Sequence, residues 1–155
     1  MARNRLTVSF KGFEEMFEKL DKAGANVEKT TEEALKESFN IVTPGIKGAI
    51  APHSTKYSGA TEKSLTESPK VEWEGSTAKV PVGFNIREGG LPSVFLMYGT
   101  PRHAVGNQYA RGRGAHPGMA VDQKLYDSIY GRSVKNKVRK AQKQVFEKEM
   151  KNTFG

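Results

Sequence analysis

The sequence predicts an α+β domain: a small antiparallel β-sheet packed with a long broken N-terminal helix and a basic C-terminal helix, and one long extended loop. Three observations predict it. Apolar residues recur at helical spacing near both ends of the chain. Two alternating runs flank Gly75-Ser76 in the middle. Residues 99–118 are rich in glycine and arginine and show neither period. A chain of 155 residues fits one domain, 1–155, and hides roughly two-thirds of its unfolded surface on folding.

Leu6, Val8 and Phe10 alternate with polar residues, which predicts a short strand ended by Gly12. Phe13, Met16, Phe17 and Leu20 form the stripe of a first helix, with Gly24 at its end. A second helical pattern uses Val27, Thr31, Ala34, Leu35, Ser38, Ile41 and Val42, with Thr30 or Thr31 as its start. Pro44-Gly45 is expected to kink or break it, and Ile46, Ala49 and Ile50 continue the face as far as Pro52. The small residues on this stripe suggest close packing against a sheet. A polar loop and a short helical turn over Thr61–Leu65 follow. Val71 and Trp73, then Ala78, Val80 and Val82, read as a hairpin turning at Gly75-Ser76, with Pro81 at an edge or at a position whose N–H is not needed. Arg87 to Pro92 reads as a glycine-containing loop, and Val94 to Tyr98 as a strand or a buried helical turn.

Beyond the long loop, Met119, Val121, Leu125, Tyr126, Ile129 and Tyr130 suggest a helix broken at Gly131. Ser133 is a candidate cap for the last helix. Its apolar stripe is Val134, Val138, Ala141, Val145 and Phe146, with Met150 and Phe154 as terminal contacts. Lysines and arginines cover most of the remainder.

Charge divides unevenly along the chain. Residues 1–100 hold 13 Lys+Arg against 13 Asp+Glu, whereas residues 101–155 hold 12 against 4, so the whole net charge of +8 lies in the last third. That asymmetry points to nucleic acid or to an acidic protein surface, or simply to a solvated basic helix face. An apolar fraction of 36% and a mean hydropathy of −0.61 suit a chain whose extended segments are ordered by neighbours. No stretch approaches the ~20 apolar residues of a membrane span, and no signal peptide is read at the N-terminus, so a soluble protein made in a cytoplasm is expected.

The chemistry-bearing residues are sparse. With no cysteine, a thiolate metal site is excluded. His53, His103 and His116 have no metal-ligand spacing, and His116 before Pro117 suits a structural anchor. No nucleophile elbow, P-loop or dinucleotide glycine pattern is present, so an enzyme, and a hydrolase in particular, is the weakest of three readings. A nucleic-acid-binding protein is the second. Arg111 and Arg113 would reach phosphates and Tyr109 would stack on a base, but no recognised binding-module pattern accompanies them.

The first reading rests on the order of motifs. Gly12-Phe13-Glu14-Glu15-Met16 precedes the long helical pattern and Ala51-Pro52. Ser58-Gly-Ala-Thr-Glu-Lys-Ser-Leu65 follows, then Val80-Pro-Val-Gly-Phe84, Tyr98-Gly99-Thr100 and Ala115-His116-Pro117. From about Val8 onward this series resembles the head–tail joining, or tail-completion, proteins of long-tailed bacteriophages. The chain departs from that pattern at Met97, where the family often has Glu, at Gly118, where it often has Phe, and in its long basic insertion between the last two motifs.

The resemblance implies a virion structural protein with no catalysis and no cofactor. It implies a homo-oligomeric ring of six copies at the head–tail junction, assembled in the host cytoplasm, between the head connector (head-closure protein) and the tail tube or tail terminator. No membrane is involved. Tyr98, Gly99, Thr100, Arg102, His103, Tyr109, Arg111, Arg113, His116 and Pro117 would meet a neighbouring subunit or ring, with the two motifs as fixed posts and residues 102–114 reaching between them. Lys135, Arg139, Lys140 and Lys143 would face either DNA in the channel or an acidic partner.

Overall fold

A computed structural model describes residues 14–22, 24, 26–54, 59–75, 77–104 and 115–155. The expected strand over Leu6–Phe10 and the loop residues Tyr109, Arg111 and Arg113 lie outside the described residues. The element order is α1 (Glu14–Lys22), α2 (Val27–Ile50), α3 (Ala60–Lys63), β1 (Glu72–Glu74), β2 (Thr77–Lys79), α4 (Leu91–Tyr98), β3 (His103–Ala104), β4 (Ala115–His116), α5 (Gln123–Tyr130) and α6 (Arg132–Phe154). Single 3-10 turns over Ala51–His53 and Ile86–Glu88 join α2 and α4 to what precedes or follows them. The architecture is α+β, with the helices dominant and the strands short.

The frame is α2 packed on α6 and α5. The expectation that α2 packs chiefly on a sheet is therefore corrected. Its small residues serve helix–helix contact, as at buried Ser38, which meets Gln142 of α6. Its start is corrected as well. Asn26, not Thr30 or Thr31, caps it, accepting the Lys29 N–H at 2.9 Å, while both threonines are buried inside the helix. Nor does Pro44 break it. The helix continues through it to Ile50, and Val42 and Ile46, on either side, are almost wholly buried. Asn40 and Pro44 lie on the exposed side, where the carbonyl that proline leaves without a donor is open to solvent.

The core gathers Leu35, Phe39, Val42, Ile46 and Ile50 of α2 with Val80, Val82 and Phe84 after the hairpin, Leu96 and Met97 of α4, Leu125 and Ile129 of α5, and Val138 of α6. A smaller cluster, Leu20, Ala34 and Phe146, joins α1, α2 and α6, with Met150 packed against it. Phe154 is exposed rather than a terminal contact. The α2–α6 seam also holds a polar tie. Buried Gln142 donates from Nε2 to Ser38 Oγ at 2.9 Å, and Ser38 donates to the Ala34 carbonyl at 2.7 Å. Each polar group thereby keeps a partner away from water.

The hairpin pairs Glu72 with Lys79 and Trp73 with Ala78. Its buried face is one-sided: Ala78 and Val80 are covered, but Trp73 is 41% exposed and reaches Glu32 Oε1 of α2 from Nε1 at 3.3 Å. Trp73 is thus a surface residue, not the core position its alternation suggested. Pro81 lies just past β2, where no ladder N–H is asked of it. Gly131 separates α5 from α6 and caps the latter, so Ser133 lies inside the first turn instead of before it.

Candidate subunit interface

Three segments build the site: the outer face of α4, the ribbon that follows it, and the N-terminus of α5. The run Val94–Tyr98, ambiguous as sequence, is helical. α4 starts at Leu91 with Pro92 in its first turn, where a missing N–H costs nothing, so Pro92 belongs to the helix and not to the preceding loop. Leu96 and Met97 face the core. Leu91, Phe95 and Tyr98 recur at intervals of four and three and face out, 49%, 44% and 51% exposed. Val121, 47% exposed, stands beside the end of α4, where its Cγ2 lies 3.4 Å from the position of a Cβ on Gly99.

Tyr98-Gly99-Thr100 and Ala115-His116-Pro117 come together as the two sides of one antiparallel ribbon. Thr100 bridges Met119, with N–H to carbonyl distances of 2.9 and 3.0 Å in the two directions, and His103 and Ala104 pair with His116 and Ala115. Glycine is required where the two sides approach. Gly99 has φ +69°, and a Cβ there would lie 2.5 Å from the Met119 carbonyl oxygen. Gly118 has φ +85°, and a Cβ there would lie 2.3 Å from the Thr100 oxygen. Both conditions exclude an ordinary side chain. Gly118, which departs from the resembled pattern, is thus a position this backbone needs. Arg102 and Pro117 are exposed at the base of the ribbon.

Behind the ribbon, Tyr98, Tyr126 and Tyr130 stack in series. Tyr98 meets Tyr126 edge-on at 6.2 Å between centroids, and Tyr126 meets Tyr130 at 5.1 Å. Burial pushes the Tyr130 hydroxyl up to about 12, helped by a hydrogen bond with Tyr98, so it stays protonated at any ordinary pH.

Asp122 fixes this assembly to the core. Its carboxylate accepts the Leu125 N–H at 2.9 Å as the N-cap of α5, and its own N–H donates to the Leu96 carbonyl of α4 at 2.7 Å. Its second oxygen meets His53 Nε2, from the turn after α2, at 2.6 Å. Partial burial raises the Asp122 carboxyl, but the Leu125 N–H, His53 and the Lys124 N–H outweigh it and hold the group below its ordinary value. Metal-ligand spacing alone says nothing of His53, and Asp122 carries no motif. The available signal was an aspartate placed just before an apolar helical pattern, which is an N-cap signature.

No protein-family model, curated protein or solved structure matches this chain. Its residues must therefore speak for the site. Among the described residues, no group of three or more His, Asp or Glu could hold a metal ion, and no helix is long and apolar enough to cross a membrane. The second set of expected residues, Lys135, Arg139, Lys140 and Lys143, is exposed along α6 and built from other elements than the ribbon. Leu91 and Phe95 were not singled out as site residues from sequence, and Val121 was read as part of a helical stripe although α5 begins only at Gln123. Their apolar character reads as core until α4 is known to turn that side outward.

Proposed function

We propose that the chain is a structural subunit of the head–tail junction of a tailed bacteriophage, assembling as a closed ring of six copies that completes the tail and receives the head connector. The observation that carries the reading is the apolar surface of Leu91, Phe95, Tyr98 and Val121, each 44–51% exposed, beside the glycine-pinned ribbon. Contiguous large apolar groups on a surface mark contact with another protein. A ring joins two different patches of one chain. In this reading the α4 face is one patch, and the segment carried between the two motifs reaches the neighbour as the other. The order of sequence motifs supplies the phage context.

Two features favour a scaffold role for the surrounding groups. The Asp122 carboxylate is spent on an N-cap and on His53, and the tyrosine series braces α4 against α5. Both give the outward face a rigid backing.

Purified tailed particles that encode this chain, analysed by mass spectrometry and electron microscopy, test the proposal. The expected result is the protein in mature particles, as one ring of density between head and tail. Its absence from particles would overturn the reading.

A further inference from the structure

The outer face of α6 is chemically unlike the α4 surface. From Arg132 to Lys143 it carries six cations, Arg132, Lys135, Lys137, Arg139, Lys140 and Lys143, and no carboxylate. All six are exposed. Among the described residues only Lys143 has an acidic partner, Glu147 at 3.5 Å. Arg132, Lys135, Arg139 and Lys143 stand three, four and four residues apart, which lines them up along about 16 Å of one helix side.

Electrostatically the helix gains nothing from this arrangement. Lys135–Arg139 and Arg139–Lys143 are like-charge pairs one turn apart, which work against the helix. The first turn holds no acidic residue to offset the positive end of the helix dipole. Val138, Ala141, Gln142 and Phe146 are buried, with Gln142 and Phe146 three and seven residues after Arg139, so the cation row runs along the edge of the buried seam while its side chains stay exposed. A set of charges that opposes its own helix is explained by a partner that neutralises it.

The geometry points to the phosphate backbone of duplex DNA, and we infer that this half of α6 binds it without sequence preference. An acidic protein is the lesser fit. Protein interfaces place apolar and aromatic groups at their centre and exclude lysine from it, and no large apolar side chain is exposed between Arg132 and Lys151. Single-stranded nucleic acid is also a lesser fit, since it is held by stacking on exposed aromatic rings and this face has none. Base reading would need amide or guanidinium groups supported in a fixed geometry. Here Ser133 and Asn136 are the only exposed uncharged polar side chains among the cations, and the arginines have no supporting contacts among the described residues. Phosphate contact needs none of this. The inference uses residues distinct from the α4 surface and stands whether or not the chain forms a ring.

The test is fluorescence anisotropy of the full chain with short labelled duplexes of two unrelated sequences over a range of salt. Five phosphate contacts give a slope of log affinity against log salt of about −4.5, equal for both duplexes. The variant K135Q/R139Q/K140Q should lose about 2.7 of that slope and bind more than about tenfold more weakly at moderate salt. A control of equal charge change on α2, K29Q/K36Q/K47Q, should bind like the wild type, and circular dichroism should show both variants equally helical. Salt-independent binding, or equal loss in the control, would overturn the inference. Tighter binding to polyglutamate than to the duplexes would assign the face to an acidic protein instead.

Discussion

α4 and α6 are each half-buried helices that feed the same core, yet their outer faces are opposites. α4 sends Leu96 and Met97 inward and leaves Leu91, Phe95 and Tyr98 outside. α6 sends Val138, Ala141, Gln142 and Phe146 inward and leaves lysine and arginine outside. The inner faces obey one rule, removal of apolar area from water, and so explain the fold. The outer faces are free of that rule, and their difference carries the functional information. In the two proposals, one would be finished by apolar contact with protein, the other by neutralisation. Substitutions that separate inner from outer faces, and one outer face from the other, test this division.

The largest effect should come from the inner face of α6. Phe146 is fully buried between α1 and α2, so Phe146→Ala should destabilise the chain by about 3–5 kcal/mol in urea unfolding. Next comes the hinge between α4 and the ribbon. Gly99→Ala meets both an unfavourable φ and the Met119 carbonyl, and should lower stability by about 2–3 kcal/mol in the same assay. A loss as small as that of a surface substitution would show that the ribbon is not pinned there.

A smaller effect is expected at Asp122, behind the α4 face. Its folded carboxyl lies below the ordinary value of 3.8, so its stabilising contribution is present above that pH and is lost as pH falls through and beneath it. Asp122→Asn keeps an N-cap side chain but removes the charge. The variant should be less stable than wild type near neutral pH by about 1 kcal/mol. The difference should shrink towards zero as the pH is lowered below about 4, as measured by thermal melts across pH. The smallest effect belongs to the outer face of α6. Lys135→Gln and Arg139→Gln should each change stability by less than about 0.5 kcal/mol.

Much of the frame was legible in the sequence because burial imposes a period. Leu35, Val42, Ile46 and Ile50 mark the inner side of α2, and Val138, Ala141 and Phe146 that of α6, at spacings only a helix explains. What was not legible depends on partners distant in the chain. Gln142 reads as a solvent residue until Ser38, 104 positions away, is placed against it. Pro44 reads as a kink or a break, yet the helix runs on through it between buried Val42 and Ile46. The two motifs flanking the basic loop were visible as fixed points. That they pair with one another, and that Gly118 is required by this pairing, is a non-local fact. The α4 surface was hidden for a different reason. A short apolar run carries no statement of which side will be left uncovered.

The central claim is that the outer face of α4 is a contact between copies. Sedimentation velocity over a concentration series, comparing wild type with L91S/F95S, tests it most directly. The wild type should self-associate into a closed species larger than a dimer, while the variant stays monomeric with an unchanged urea midpoint. A wild type that remains monomeric throughout, or a variant that associates as well as the wild type, would contradict the claim.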